Sequence, residues 1–257
     1  MHNNRRKFLQ LAGITAALSL CGGSLHSALR PKAERHKDRK DALKAKRWGM
    51  LIDTKQFQTQ EDFQKVIRAC HSVHNVPQDL PNSKQEIKWI WTEVFHHLFP
   101  SQENPYLAHE MEEKQFLTLC NHCDDPPCVR VCPTKATFKR EDGIVMMDFH
   151  RCIGCRYCMA GCPYGSRSFN FFEPRQYVND LNPEYPTRTR GVVEKCTFCV
   201  DRLDQGEMPA CVEASNGAII FGDLEDQESE IRKKLQEQYT LRRKVQLGTN
   251  PCVYYLV

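Results

Sequence analysis

Cys152-Ile153-Gly154-Cys155-Arg156-Tyr157-Cys158-Met159-Ala160-Gly161-Cys162-Pro163 has the spacing C-x2-C-x2-C-x3-C-P. Three thiolates on one tight loop can reach three irons of a single [4Fe–4S] cube, and this spacing serves that chemistry. Gly154 has no side chain, which lets backbone N–H groups turn toward cluster sulfurs. Cys162 has turned away into a short helix, and in two-cluster proteins such a fourth cysteine ligates the other cube. A structural zinc site competes, but zinc takes four ligands from paired C-x2-C units and leaves the longer run unexplained.

Two more groups extend the pattern. Cys120-Asn121-His122-Cys123-Asp124-Asp125-Pro126-Pro127-Cys128-Val129-Arg130-Val131-Cys132-Pro133 is the same run with two residues added before its third cysteine. Cys196-Thr197-Phe198-Cys199 is followed, after eleven residues, by Cys211, and the place of a fourth cysteine is held by Ser215. Cys70 stands alone at the end of a predicted helix. With Cys21 and Cys252 set aside, twelve of the fourteen cysteines remain, four for each of three cubes. Exchange of fourth ligands joins Cys162 to Cys120, Cys123 and Cys128, and Cys132 to Cys152, Cys155 and Cys158. The third group lacks its fourth member and Cys70 lacks partners, so Cys70 falls to Cys196, Cys199 and Cys211. Every iron is then capped by a thiolate, which leaves outer-sphere electron transfer as the chemistry. His71 and His74 read as helix-end histidines bonded to backbone. No C-x-x-C-H occurs, so attached haem c is not expected.

The elements that position these groups follow in order. The folded part is expected from Trp48, with Gly49-Met50-Leu51-Ile52-Asp53 as first strand and a helix ending at Ala69-Cys70-His71. Residues 87–92 read as a strand with Ile87, Trp89 and Trp91 on one face, in the core or at a partner. A hairpin turning near Asp142-Gly143 feeds the central run, and residues 167–172 give a return strand. This repetition around two cysteine runs marks an internal duplication. A strand at 218–221 and an amphipathic helix at 227–238 precede the tail. The fold class is α+β: duplicated bacterial ferredoxin-like domains with exchanged fourth ligands, behind a signal segment. Expected boundaries are 1–29 for the signal, 30–47 for a basic linker, and 48–118 for the first part of a single-cluster unit plus an insertion. A two-cluster unit follows at 119–175, the rest of the single-cluster unit at 176–225, and a helix and tail at 226–257.

Composition fits a water-soluble, cofactor-loaded chain of 257 residues, with a mean hydropathy of −0.58. Its net charge of +4 is too small to imply nucleic acid. Arg5-Arg6-Lys7-Phe8-Leu9 opens an apolar run to Leu20, the pattern of a twin-arginine export signal. That route suits a protein whose clusters are inserted before it crosses the membrane, and predicts a periplasmic location. No A-x-A cleavage site stands out, so the segment could stay as an anchor. Cys21 stands after Leu20, too bulky for the usual lipid-attachment site. Residues 30–47 carry nine Lys/Arg against three Asp/Glu and read as a solvated linker.

On these runs, residues 48–225 resemble the four-cluster ferredoxin subunits of the dimethyl sulfoxide, polysulfide and tetrathionate reductases. In that family Cys70 would end an N-terminal run whose first two cysteines fall here on Gln56 and Thr59, and Ser215 would be a cysteine. All ligands of one cube are missing together, and the resemblance implies that this is the cube facing a molybdenum subunit. The twin-arginine signal, Trp48-Gly49-Met50, Gly143-Ile144-Val145-Met146-Met147-Asp148, the stretch from Asn182-Pro183-Glu184-Tyr185-Pro186 through Gly191, and Val253-Tyr254-Tyr255-Leu256-Val257 are similar to the DsrO family. That family supplies the periplasmic iron–sulfur subunit of the DsrMKJOP sulfur-metabolism complex. The resemblance implies a quinone-interacting integral membrane subunit, a periplasmic multihaem cytochrome c and other subunits of one complex as partners. Three alternatives stay open: an electron-transfer subunit of a molybdopterin oxidoreductase, a catalytic iron–sulfur enzyme with an open iron, and a zinc-bound structural protein.

Overall fold

Trp48–Asp53 (β1) is buried along five of its six residues, so it must be covered on both faces and both edges. The computed structural model, which describes residues 41–257 apart from 81, 83 and 84, shows how. Ile219–Asp223 (β8) runs antiparallel to β1, with Met50 opposite Phe221. Val253–Leu256 (β10) runs parallel on its other edge, with Met50 opposite Val253. Thr240–Leu241 (β9) closes the order β8-β1-β10-β9. The tail is therefore an interior strand of the main sheet, which the sequence reading missed. The signal segment, Cys21 and the linker through residue 40 lie outside the described residues.

Helix Gln60–Val73 starts where Thr59 accepts from Asp62 N while the Asp62 carboxylate accepts from Thr59 N, a capping box. Its apolar face presents Phe63, Val66 and Cys70 at helical spacing, and it packs on helix Ala210–Ala214. The two cysteine-bearing helices are thus brought together from distant parts of the chain.

The strand expected at 87–92 begins at Ile90: Ile90–Val94 (β2) pairs with Gln115–Leu119 (β3). Ile87, Trp89, Ile90 and Trp91 are all buried, so no alternation of faces exists there. Trp89 stacks on His74 at 4.7 Å and its indole N–H donates to Glu194 at 2.8 Å, which places it in the core. The hairpin is Thr137–Lys139 (β4) with Val145–Met147 (β5), turned through Gly143 at φ 85°. The expected return strand shrinks to Ser168–Phe169 (β6), paired with Val193–Glu194 (β7), because Asn170 turns the chain by donating to Val192 O and accepting from Gly191 N. The C-terminal helix is Glu230–Glu237, shorter than expected because Ser229 caps it. Among the described residues no helix is long and apolar enough to cross a membrane.

Candidate metal centre

The first C-x-x-C of each of the three cysteine groups uses one backbone device. The residue before the second cysteine is left-handed in each: His122 at φ 40°, Gly154 at 71° and Phe198 at 55°. Consecutive N–H groups in such a turn form a concave, anion-binding nest. Gly154 is held there by space as well, since a Cβ would lie 2.4 Å from Gly191 O. After each loop the third cysteine enters a short helix: Cys128 in Pro127–Arg130, Cys158 in Tyr157–Ala160 and Cys211 in Ala210–Ala214. Cys132 and Cys162 follow just past their helix ends, facing another loop instead of their own.

The sulfurs gather in three groups. Burial raises the Cys70 thiol well above its ordinary range, and the neighbouring charges of Cys199, Cys196 and Cys211 push it the same way. Cys123 is raised by burial and then by Cys120, Cys162 and Cys128 beside it. Cys158 is raised by burial, with Cys152 and Cys132 adding to the shift, and Cys132, Cys152, Cys155 and Cys158 line one cleft. Cys211 is pushed up to about 12 by burial. Thiols so placed stay protonated unless cationic iron displaces the proton. No three His, Cys, Asp or Glu side chains among the described residues converge as ligands of a single ion do. A cube spaces its thiolates by a further layer of iron and sulfide.

The surroundings suit such a group. Phe198 N donates to Cys196 Sγ and Thr137 N to Cys132 Sγ, each at 3.4 Å. Burial raises Cys132, but hydrogen bonds from Thr137 and Thr134 outweigh it and hold that thiol below its usual range. In the loops, both polar atoms of the Asn121 side chain, Thr197 Oγ1 and His122 Nε2 are buried without a hydrogen-bond partner. Buried polar atoms are ordinarily paired, so an inorganic sulfide or other absent acceptor or donor is expected beside them. The residues present fit 4Fe–4S clusters.

Exposure grades across the groups. Cys70, Cys196, Cys199 and Cys211 are all buried, whereas Cys132, Cys152 and Cys155 are only half-buried. His122 stacks on Phe198 at 3.7 Å, which sets the first and third loops face to face. His74 Nδ1 bonds Cys70 O at 2.8 Å, in keeping with the backbone-bonded reading. Ser215 Oγ donates to Val212 O and accepts from Ile219 N at 3.0 Å, so that hydroxyl is engaged locally. Thr59 caps its helix and Gln56 donates to Asp53. Cys252 is buried against Arg47, whose Nη2 donates to its sulfur at 3.4 Å, and its charged neighbours are Arg47, Asp124 and Lys139.

Residues 111–173 and 144–214 each match a 4Fe-4S dicluster domain model. The chain is 41% identical to the Hdr-like menaquinol oxidoreductase iron-sulfur subunit 1 of Archaeoglobus fulgidus, over 98% of this chain and 97% of the relative. It is 35% identical to a tetrathionate reductase subunit of Salmonella typhimurium, over 100% of this chain and 89% of the relative. It is 37% identical to the menaquinone reductase iron-sulfur cluster-binding subunit of Nitratidesulfovibrio vulgaris, over 82% and 88%. The chain belongs to this family of iron–sulfur electron-transfer subunits. Family membership and the sulfur groups agree on 4Fe–4S clusters and on electron transfer as the function.

Sequence reasoning missed two buried cations beside the sulfurs, Arg167 and Lys195. The repeat held a signal for the first: Arg167 stands five residues after Cys162, as Thr137 stands five after Cys132.

Proposed function

We propose that this subunit relays electrons through three [4Fe–4S] clusters between a quinone-interacting membrane subunit and redox partners in a Dsr-type sulfur-metabolism complex. The observation that carries it is the grouping of the sulfurs, each group completed by a cysteine from elsewhere in the chain. The first comprises Cys120, Cys123, Cys128 and Cys162, the second Cys152, Cys155, Cys158 and Cys132, and the third Cys196, Cys199, Cys211 and Cys70. Each bound cube supplies a one-electron carrier with a potential anywhere from about −700 to +450 mV. Thiolates on all four irons of a cube leave no open iron, which argues against a catalytic cluster enzyme. The groups stand in series: Cys196 lies near Cys120, and Arg167 stands close to both Cys128 and Cys158. Three half-buried cysteines in the 132/152/155/158 group make that end the one nearest solvent.

Relatives named as menaquinol oxidoreductase and menaquinone reductase subunits support the quinone-side partner. The periplasmic location, the twin-arginine route and a multihaem cytochrome partner rest on the DsrO resemblance and the N-terminal motif. Gln56, Thr59 and Ser215 are engaged in local hydrogen bonds, so these three positions supply no thiolate to a fourth cube, which argues against docking to a molybdopterin subunit. Anaerobically reconstituted protein should hold about twelve irons, four for each cube. About sixteen, or substantial zinc, in elemental analysis would overturn the assignment. Co-purification in mild detergent should bring down a membrane subunit with it.

A further inference from the structure

Three described arginines are buried, and the chain treats them differently: Arg243 lies over the Tyr164 ring and donates to Tyr164 O. Arg188 is 1% exposed and pairs with the Glu194 carboxylate at 2.7 Å. Arg167 is 4% exposed, and among the described residues it meets no carboxylate. Its Nη2 donates to Cys128 Sγ at 3.0 Å and its Nη1 to Thr137 Oγ1 at 3.1 Å, with Met147 Sδ at 3.8 Å. Those last two partners belong to the neighbouring sulfur group: Thr137 N donates to Cys132 Sγ at 3.4 Å, and Met147 lines the cleft of Cys132, Cys152, Cys155 and Cys158. A buried cation without a counter-charge is strongly unfavourable, so something else must neutralise it. The anions at hand are the thiolates of the two neighbouring groups.

We propose that Arg167 is a positioning residue shared by two clusters: its fixed charge, bonded to Cys128 on one hand and to Thr137 beside Cys132 on the other, holds both neighbouring cubes at a raised reduction potential. Reduction adds negative charge to a cube. A cation within hydrogen-bond distance of a ligand sulfur, shielded from water and from any carboxylate, stabilises the reduced form most. One charge serving two sites also matches them, so that neither becomes a deep trap for an electron passing between them. Arginine suits the place because the two ends of its planar fork serve Cys128 and Thr137 at once, and because it stays charged when buried. The proposal rests on the cysteine assignment above.

The test uses full-length, cluster-loaded protein with Arg167→Met and Arg167→Lys, iron analysis, and redox titration of each cube by EPR. Cys70→Ala identifies the signal of the third, distant cube. Arg167→Met should lower two midpoints by about 59 mV or more, a tenfold change in each one-electron reduction equilibrium. The third midpoint should stay in place, and Arg167→Lys should recover most of the shift. Should Arg167→Met lose iron while Arg167→Lys stays loaded, positive charge is again what the site needs. Full iron with unchanged midpoints in Arg167→Met, or a shift in one cube only, would overturn the proposal. So would equal iron loss in both variants, which would make the arginine a packing element. Iron analysis of the unaltered protein tests the three-cube reading separately: a count other than three cubes removes that reading, whatever Arg167 does.

Discussion

Cys70 shows what the fold asks of a single residue. It is 3% exposed, and three other thiols are among its neighbours. An unpaired thiol packs well as a small hydrophobe, so burial alone says little. Its company is the decisive fact: Cys196, Cys199 and Cys211 sit beside it from over a hundred residues away. Cys70→Ala should therefore lose roughly a third of the iron or give a new [3Fe–4S] EPR signal, with the other two clusters intact. Full iron and an unchanged spectrum would reduce Cys70 to packing. The 4Fe–4S character was legible because thiolate spacing is local and chemically narrow. Arg167 and Lys195 were not, since a lone basic residue in sequence looks like a surface charge. Nor could spacing show that His122 and Phe198 take the left-handed turn that Gly154 takes, because side chains there are usually strained.

At the scale of elements, the main sheet depends on the last five residues of the chain. In β10, Val253 and Tyr255 are fully buried, and Tyr255 packs on Phe99 and Phe116 at 5.5 and 6.0 Å. Cys252 N, just before it, donates to Asn121 O in the first cysteine loop at 2.9 Å. The strand so couples the sheet to a cluster-bearing loop. Tyr255→Ala should cost about 3–5 kcal/mol, as for other large aromatic deletions in a core. A denaturant titration should show the midpoint falling, with iron released in the same transition, while Tyr255→Phe keeps most of the stability. An unchanged midpoint in Tyr255→Ala would show the tail to be dispensable. A run such as Val-Tyr-Tyr-Leu-Val has strand propensity, but its partner β1 is some two hundred residues away, so local pattern gave no reason to place it centrally. Trp89 misled in the opposite way. An alternating apolar stretch suggested a two-faced strand, whereas contacts with His74 and Glu194 bury it before the strand starts.

The whole molecule closes late. The third sulfur group joins Cys70 to Cys211, and the sheet beneath it needs β1 near the start of the described residues and β10 at residues 253–256. The third sulfur group cannot be complete before Cys211 is made, nor the main sheet before β10. Threading the chain unfolded through a membrane would separate these ligands and require cluster insertion outside the cytoplasm. We propose that the chain folds and loads first and then crosses intact, the route that the motif Arg5-Arg6-Lys7-Phe8-Leu9 suggests. Arg5→Lys combined with Arg6→Lys keeps the positive charge and the apolar run but removes the paired guanidinium groups. The variant should accumulate in the cytoplasm, folded and with the same iron content as the unaltered protein, as measured by fractionation and iron analysis. Normal delivery to the periplasm would rule out the twin-arginine route, and cytoplasmic protein lacking iron would show that loading does not precede export.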